Sequence, residues 1–213
     1  MMMEFKTFII SIKEKLEKPL PGVSSQIKMA GLRRFMKDGG IVVPDDVRKG
    51  AVLTLFYPHN SKLYMVFIKR TEYPGVHSGQ ISFPGGGLEQ VDKDIVDTAL
   101  REAEEEIGVN RNSVMVLGKL TDLFIPPSNF LVTPVVGYTT ERPDFRPDPD
   151  EVDRILEYPM DELLNELNIM EKEIAIFPEV TLKVPCFYID GNVIWGATAM
   201  ILSELIDVIR QES

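Results

Sequence analysis

A chain of 213 residues has room for one fair-sized domain, or for a domain with a small appendage. Its net charge of −10 argues against nucleic-acid partners, because binding their backbone depends on Lys and Arg neutralising phosphates. Small phosphorylated ligands stay open, since a bound cation supplies local positive charge. Cys186 is the single cysteine, so no intrachain disulfide can form, which suits a reducing compartment.

The first 38 residues or so read as helical, with Phe8, Ile9, Ile12 and Leu16 at helical spacing before Pro19 and Pro21 interrupt. The apolar run Phe8-Ile9-Ile10 is too short, and too close to Lys6 and Lys13, for a signal peptide or a membrane span. The expected setting is therefore cytoplasmic and away from membranes. A second short helix is predicted from Ser25 to Met36, then a turn at Asp38-Gly39-Gly40. This divides the chain into a helical extension over residues 1–40 and a main domain over 41–213. Residues 51–57 and 62–68 form a predicted hairpin around Pro58-His59-Asn60-Ser61. Residues 72–87 are rich in Gly, Pro and Ser, a long connection of the kind that carries function. A helix is predicted from Asp94 to Gly108, and strands over 114–120, 131–138, 152–158 and 184–189. A helix from Pro159 to about Leu167 and an amphipathic helix from Thr198 to Arg210 complete a mixed α/β or α+β pattern. Cys186 itself reads as a small buried apolar residue.

The chemistry concentrates where Phe83-Pro84-Gly85-Gly86-Gly87 precedes the helix carrying Arg101-Glu102-Ala103-Glu104-Glu105-Glu106-Ile107-Gly108-Val109. At about 100° per residue, Glu102, Glu105 and Glu106 share an arc of about 100°, while Ile95, Val96, Ala99, Leu100, Ala103 and Ile107 gather on the adjoining face. Three carboxylates so placed repel one another unless a cation joins them, and oxygen ligands are what a hard divalent ion takes. The plainer alternative is a solvated acidic face on a surface helix. A glycine turn lets backbone approach the same region closely. Arg101 is expected to pair with Asp97, four residues earlier.

These residues resemble the Nudix box, which reads Gly, five residues, Glu, seven residues, Arg-Glu, apolar, any, Glu-Glu, any, Gly, apolar. Gly87 opens the match and Arg101 to Val109 complete it, whereas the first Glu is replaced by Lys93. In the family that Glu supports the box through its Arg, and Asp92 and Asp97 are the substitutes at hand. The resemblance implies a mixed sheet between helices, with the box as a loop–helix–loop. It also implies Mg²⁺ or Mn²⁺ held through Glu102 and Glu106 with help from Glu105 and the Gly86 carbonyl, and water attacking a phosphoanhydride. Glu105 or Glu106 is expected to act as the base, with Glu151 and Glu157 as alternatives from a later segment.

Upstream, Arg70, His77, Gly79, Gln80, Ser82 and Phe83 are similar to the signature of coenzyme A pyrophosphatases, although a second Arg of that signature is replaced by Gly75. Segments 147–152 and 194–199 resemble the same subfamily. What this implies is hydrolysis of coenzyme A or a derivative to adenosine 3′,5′-bisphosphate and 4′-phosphopantetheine, with those six residues contacting substrate. Arg70 offers a forked donor for phosphate. His77 either donates to phosphate or braces the loop, and Phe83 and Trp195 either stack on adenine or pack in the core. Other nucleoside diphosphate compounds (ADP-ribose, NADH, a nucleoside triphosphate) are the competing substrates. A binding protein without catalysis is the alternative of a different class. A homodimer is among the assemblies the sequence allows.

Overall fold

The computed structural model describes residues 2–31, 42–72, 78–177 and 180–212. In chain order its elements are α1 (Met2–Leu16), α2 (Val23–Gln26), β1 (Arg48–His59), β2 (Lys62–Arg70), β3 (Ile81–Ser82), β4 (Gly85–Gly87) and α3 (Ile95–Ile107). Then follow β5 (Met115–Lys119), β6 (Leu123–Ile125), β7 (Phe130–Tyr138), β8 (Val152–Pro159), α4 (Met160–Leu164), β9 (Ile169–Phe177), β10 (Val180–Ile189), β11 (Asn192–Trp195) and α5 (Gly196–Arg210).

The expected hairpin is present, with Phe56 opposite Met65 and His59 opposite Lys62. Asn60 and Ser61 turn it with φ of 46° and 64°, the handedness that lets a two-residue loop follow the strand twist. Around it grows a mixed sheet. β7 runs parallel to β1, from Arg48 opposite Phe130 to Phe56 opposite Tyr138, while β8 lies antiparallel along β2. β4 pairs with β1, β3 with β2, and β5 and β6 with β7. A separate antiparallel sheet has the order β11-β10-β9.

The central strands are buried on both sides, which explains why their sequences read as continuous apolar runs. On one face, Leu53, Leu55, Val66 and Ile68 pack under Ala99, Ala103 and Ile107 of α3. On the other, Phe56, Met65, Phe67 and Val136 pack with Leu202, Leu205 and Ile206 of α5, Phe187 and Ile194 of the second sheet, and Ile9 and Ile12 of α1. The fold is thus an α/β/α sandwich with a mixed sheet, as the box resemblance implied.

Several elements differ from expectation. The helix predicted from Ser25 shortens to α2 and a 3₁₀ turn at Ile27–Met29, because Ala30 turns to extended backbone (ψ 116°). Its predicted end, 32–36, lies outside the described residues. The helix expected to reach Leu167 stops at Leu164, where Asn165 is extended and its side chain caps a new 3₁₀ turn by accepting from Leu167 N–H at 3.1 Å. Strands β6, β9 and β11 are additions, as are β3 and β4 within the expected loop.

Candidate active site

Helix α3 is pinned at both ends. Asp94 caps its start, accepting from the N–H groups of Val96 (2.8 Å) and Asp97 (3.0 Å). Gly108 ends it with φ 71°, the left-handed geometry that glycine adopts without a Cβ penalty. Its apolar stripe fixes its rotation on the sheet, which aims Glu102 and Glu106 at β4 and the end of β2. Gly86 presses directly on Glu102, since a Cβ there would lie 2.5 Å from the carboxylate. Glycine at this position is therefore a packing requirement of the site.

Glu106 is buried, accepting from Gly85 N–H at 2.8 Å and lying 3.3 Å from Arg70 Nη1. Burial pushes its pKa up to about 8, with Gly85 and Arg70 opposing and the charges of Glu102 and Glu151 adding. Glu102 is also raised, first by burial, against the pull of Arg101 and with the help of Glu105 and Glu151. Two carboxylates one helical turn apart, with the Glu151 charge disfavouring ionisation of both, form an acidic cluster that Arg70 and Arg101 only partly offset. Arg70 Nε is buried there without a hydrogen-bond partner.

Arg101 is the brace of the box. Its Nε and Nη2 donate to Asp92 at 2.7 and 3.0 Å, Nη2 reaches the Gly87 carbonyl at 3.0 Å, and Nη1 lies 2.8 Å from Glu105 and 2.9 Å from Glu102. Asp92 also accepts from Glu89 N–H at 2.9 Å and from the Thr98 hydroxyl at 3.0 Å. The Arg101 guanidinium above all, then these donors, hold the Asp92 carboxyl far below the usual range against the effect of burial. The expected Arg101–Asp97 pair is corrected: Asp97 instead accepts from Lys93 N–H at 3.1 Å and lies 3.7 Å from Arg111. Asp92 takes the pairing that the missing Glu would make, one position earlier, while the Lys93 side chain is exposed.

The other sequence candidates separate. Glu105 is 57% exposed and faces Arg101, apart from Glu106. Phe83 is a core residue: it is buried and stacked on Phe67 with centroids 4.7 Å apart. Glu157 is committed elsewhere, to a two-pronged bond with Arg142 (2.7 Å each) and to Tyr57 OH (2.9 Å). The Ser82 hydroxyl is buried without a hydrogen-bond partner beside the core. Gly79 and Gln80 line a cleft of about 390 Å³ together with Trp195. His77 and Gly75 lie outside the described residues.

Among the described residues, no three carboxylate, imidazole or thiolate side chains already converge on one point. The donor set still fits a hard divalent cation. Glu102 and Glu106 supply anionic oxygens on adjacent turns, backbone reaches Glu102 at Gly86, and a cation would offset the burial first, and the neighbouring carboxylate charges second, that raise both pKa values.

Residues 47–179 match the NUDIX domain model. Nudix hydrolase 22, chloroplastic, from Arabidopsis thaliana is 33% identical over 208 residues, covering 95% of this chain and 65% of that protein. A protein of Pectobacterium atrosepticum described as uncharacterized Nudix hydrolase NudL is 34% identical over 158 residues, covering 74% of this chain and 81% of that one. The crystal structure of a C. elegans Ap4A hydrolase binary complex aligns with a TM-score of 0.46 at 16% identity, covering 55% of this chain and 84% of that chain.

A domain match over more than half of the chain and relatives above 30% identity show that the chain belongs to the Nudix hydrolase family. It spans 65% of the length of the Arabidopsis relative. No helix among the described residues is long and apolar enough to cross a membrane.

Proposed function

We propose that the chain hydrolyses the diphosphate bond of coenzyme A or its derivatives with Mg²⁺ or Mn²⁺, giving adenosine 3′,5′-bisphosphate and 4′-phosphopantetheine. One observation carries this reading: Arg70, the first residue of the coenzyme A-type signature, lies 3.3 Å from Glu106 of the box. A phosphate-binding fork and a metal-binding carboxylate thus meet at one point, with Arg70 Nε still unpartnered.

In this mechanism Glu102, Glu106 and the Gly86 carbonyl would hold the cation. When bound, the cation lowers the pKa of water and offsets charge on the phosphate oxygens. Arg70 orients the diphosphate. Arg101, locked to Asp92 and the Gly87 carbonyl, keeps the glycine turn against the helix. Glu151 accepts the proton of the attacking water, a role supported by its charge acting on both Glu102 and Glu106 while Glu105 is engaged by Arg101 and Glu157 by Arg142. The buried lone Cys186 supports a reducing, cytoplasmic setting.

The test is product identification after incubation with coenzyme A and Mg²⁺, beside ADP-ribose and NADH. Turnover of coenzyme A no faster than either of these would favour the second reading, a Nudix hydrolase of another nucleoside diphosphate compound. The observation that favours this second reading is Gly75 in place of the signature's second Arg.

A further inference from the structure

We infer that the cleft on the opposite face of the sheet from α3 binds a phosphomonoester of the substrate's nucleotide half, through Lys69 and Arg154 beside Trp195. The inference rests on the reading of the substrate given above and adds a recognition site to it.

Lys69 and Arg70 are consecutive on β2, so they project to opposite faces. Arg70 faces Glu106 on the α3 side. Lys69 continues the row of Met65 and Phe67 on the α5 side and lies directly across from Arg154 of β8. There the two side chains line the cleft of about 390 Å³ with Gly79, Gln80, Asn192 and Trp195. That volume is within the range of small-ligand sites. A substrate laid across the end of β2 would meet Arg70 on one side and this cleft on the other. The two are also tied through the backbone, because Arg70 N–H donates to the Gln80 carbonyl at 3.0 Å.

The cleft's charge is unusual for this molecule. On a chain of net charge −10, its only charged lining residues among the described ones are the two cations. A register shift between β2 and β8 sets Arg154 opposite Lys69 and Val152 opposite Arg70, which leaves Asp153 as the extra residue. Asp153 borders the pair, 3.1 Å from Lys69 Nζ and 3.8 Å from Arg154 Nε. Two cations sharing one carboxylate leave a positive excess that a dianionic phosphomonoester matches. The half-exposed Trp195 indole supplies an apolar flat wall beside it, suited to the base or ribose that carries the phosphate. A diphosphate compound with no such phosphomonoester leaves both cations unused.

The test compares coenzyme A with 3′-dephospho-coenzyme A as substrates, and adenosine 3′,5′-bisphosphate with AMP as ligands in calorimetry. The wild-type chain is expected to prefer the 3′-phosphorylated member of each pair by about tenfold, the scale of one charge-assisted contact. Lys69→Ala and Arg154→Ala should each raise KM for coenzyme A more than they lower kcat, and draw the preference toward one. Lys69→Arg should keep it, and thermal melts establish that each variant is folded. Equal use of both substrates by the wild type, or a preference that survives both alanine variants, overturns the cleft while leaving coenzyme A hydrolysis standing. If neither substrate is cut, the proposed function falls. Selective binding of the bisphosphate that Lys69→Ala removes would still uphold the cleft in that case.

Discussion

Two glutamates are buried among the described residues, on helices that cover opposite faces of one sheet, and they are treated differently by their surroundings. Glu204 on α5 is fully buried and accepts from Gly22 N–H (3.2 Å), Thr121 N–H (3.2 Å) and the Gln26 amide (2.9 Å). Three donors from two distant segments, Gly22–Gln26 and Thr121, close around it. Glu106 on α3 is 2% exposed, yet it has one backbone donor, a longer contact to Arg70, and two other carboxylates nearby. A buried charge with its bonds complete acts as a clasp. A buried charge left short of partners beside the Arg70 guanidinium has the perturbed surroundings typical of functional groups.

The comparison can be broken at either glutamate. Glu106→Gln should reduce kcat by roughly 10³-fold, the scale for losing a principal electrostatic group, with the melting transition retained. Chelation of divalent ions should abolish turnover of the wild type, measured by product release with and without re-added Mg²⁺. Glu204→Ala should do the reverse. It should cost about 3 kcal/mol in urea unfolding by stranding three donors, while the folded fraction keeps its kcat. A Glu204 variant that lost activity without losing stability would erase the distinction.

Glu151→Gln should lower kcat by about 100-fold, within the range of general-base catalysis, with Mg²⁺ affinity preserved in calorimetry. A parallel fall in Mg²⁺ affinity would make Glu151 a ligand instead. Asp92→Asn should cost about 2 kcal/mol by weakening the Arg101 brace. Because the folded pKa of Asp92 is depressed, its stabilising effect is present above the unfolded carboxyl value of about 3.9 and is lost as pH falls below it toward the folded value. The acid limb of the melting temperature between about pH 4 and 2 should therefore flatten in this variant.

The parts that could be read from sequence share a physical reason. The β1–β2 hairpin and α3 are long, strongly patterned and bounded by turn and cap residues. The carboxylates of the box are fixed by spacing along one helix. What escaped depends on pairing across the chain. β6 has three residues and no pattern to find. β9 reads Ile-Met-Glu-Lys-Glu-Ile-Ala-Ile-Phe, whose Glu and Lys disguise a strand. β11 did carry a signal, the Asp190-Gly191 pair, whose φ values of 51° and 80° make the hairpin turn onto β10.

Arg101 had two acidic candidates in sequence, and only the fold of the Leu88–Asp94 segment brought Asp92 to its fork. Glu105 and Glu106 were equal on a helical wheel, but the packing of α3 against β4 turned one outward and buried the other. Lys69 and Arg154 belong to no motif, since their meeting depends on the register between β2 and β8.

The clasp at Glu204 also bears on how the fold is reached. Its partner Gln26 is 178 residues away in the chain and Thr121 is 83 away, so it closes only after distant segments have met. Ser203 donates to the Ser25 carbonyl, and Lys15 to that of Ile209, across similar spans. These long-range bonds make α2 and α5 one cooperative unit: fraying of the short helix would expose a charge that α5 cannot satisfy alone. Amide protons near Gly22 to Gln26 should then exchange with solvent on the slow schedule of α5 rather than the fast one of a loose terminus.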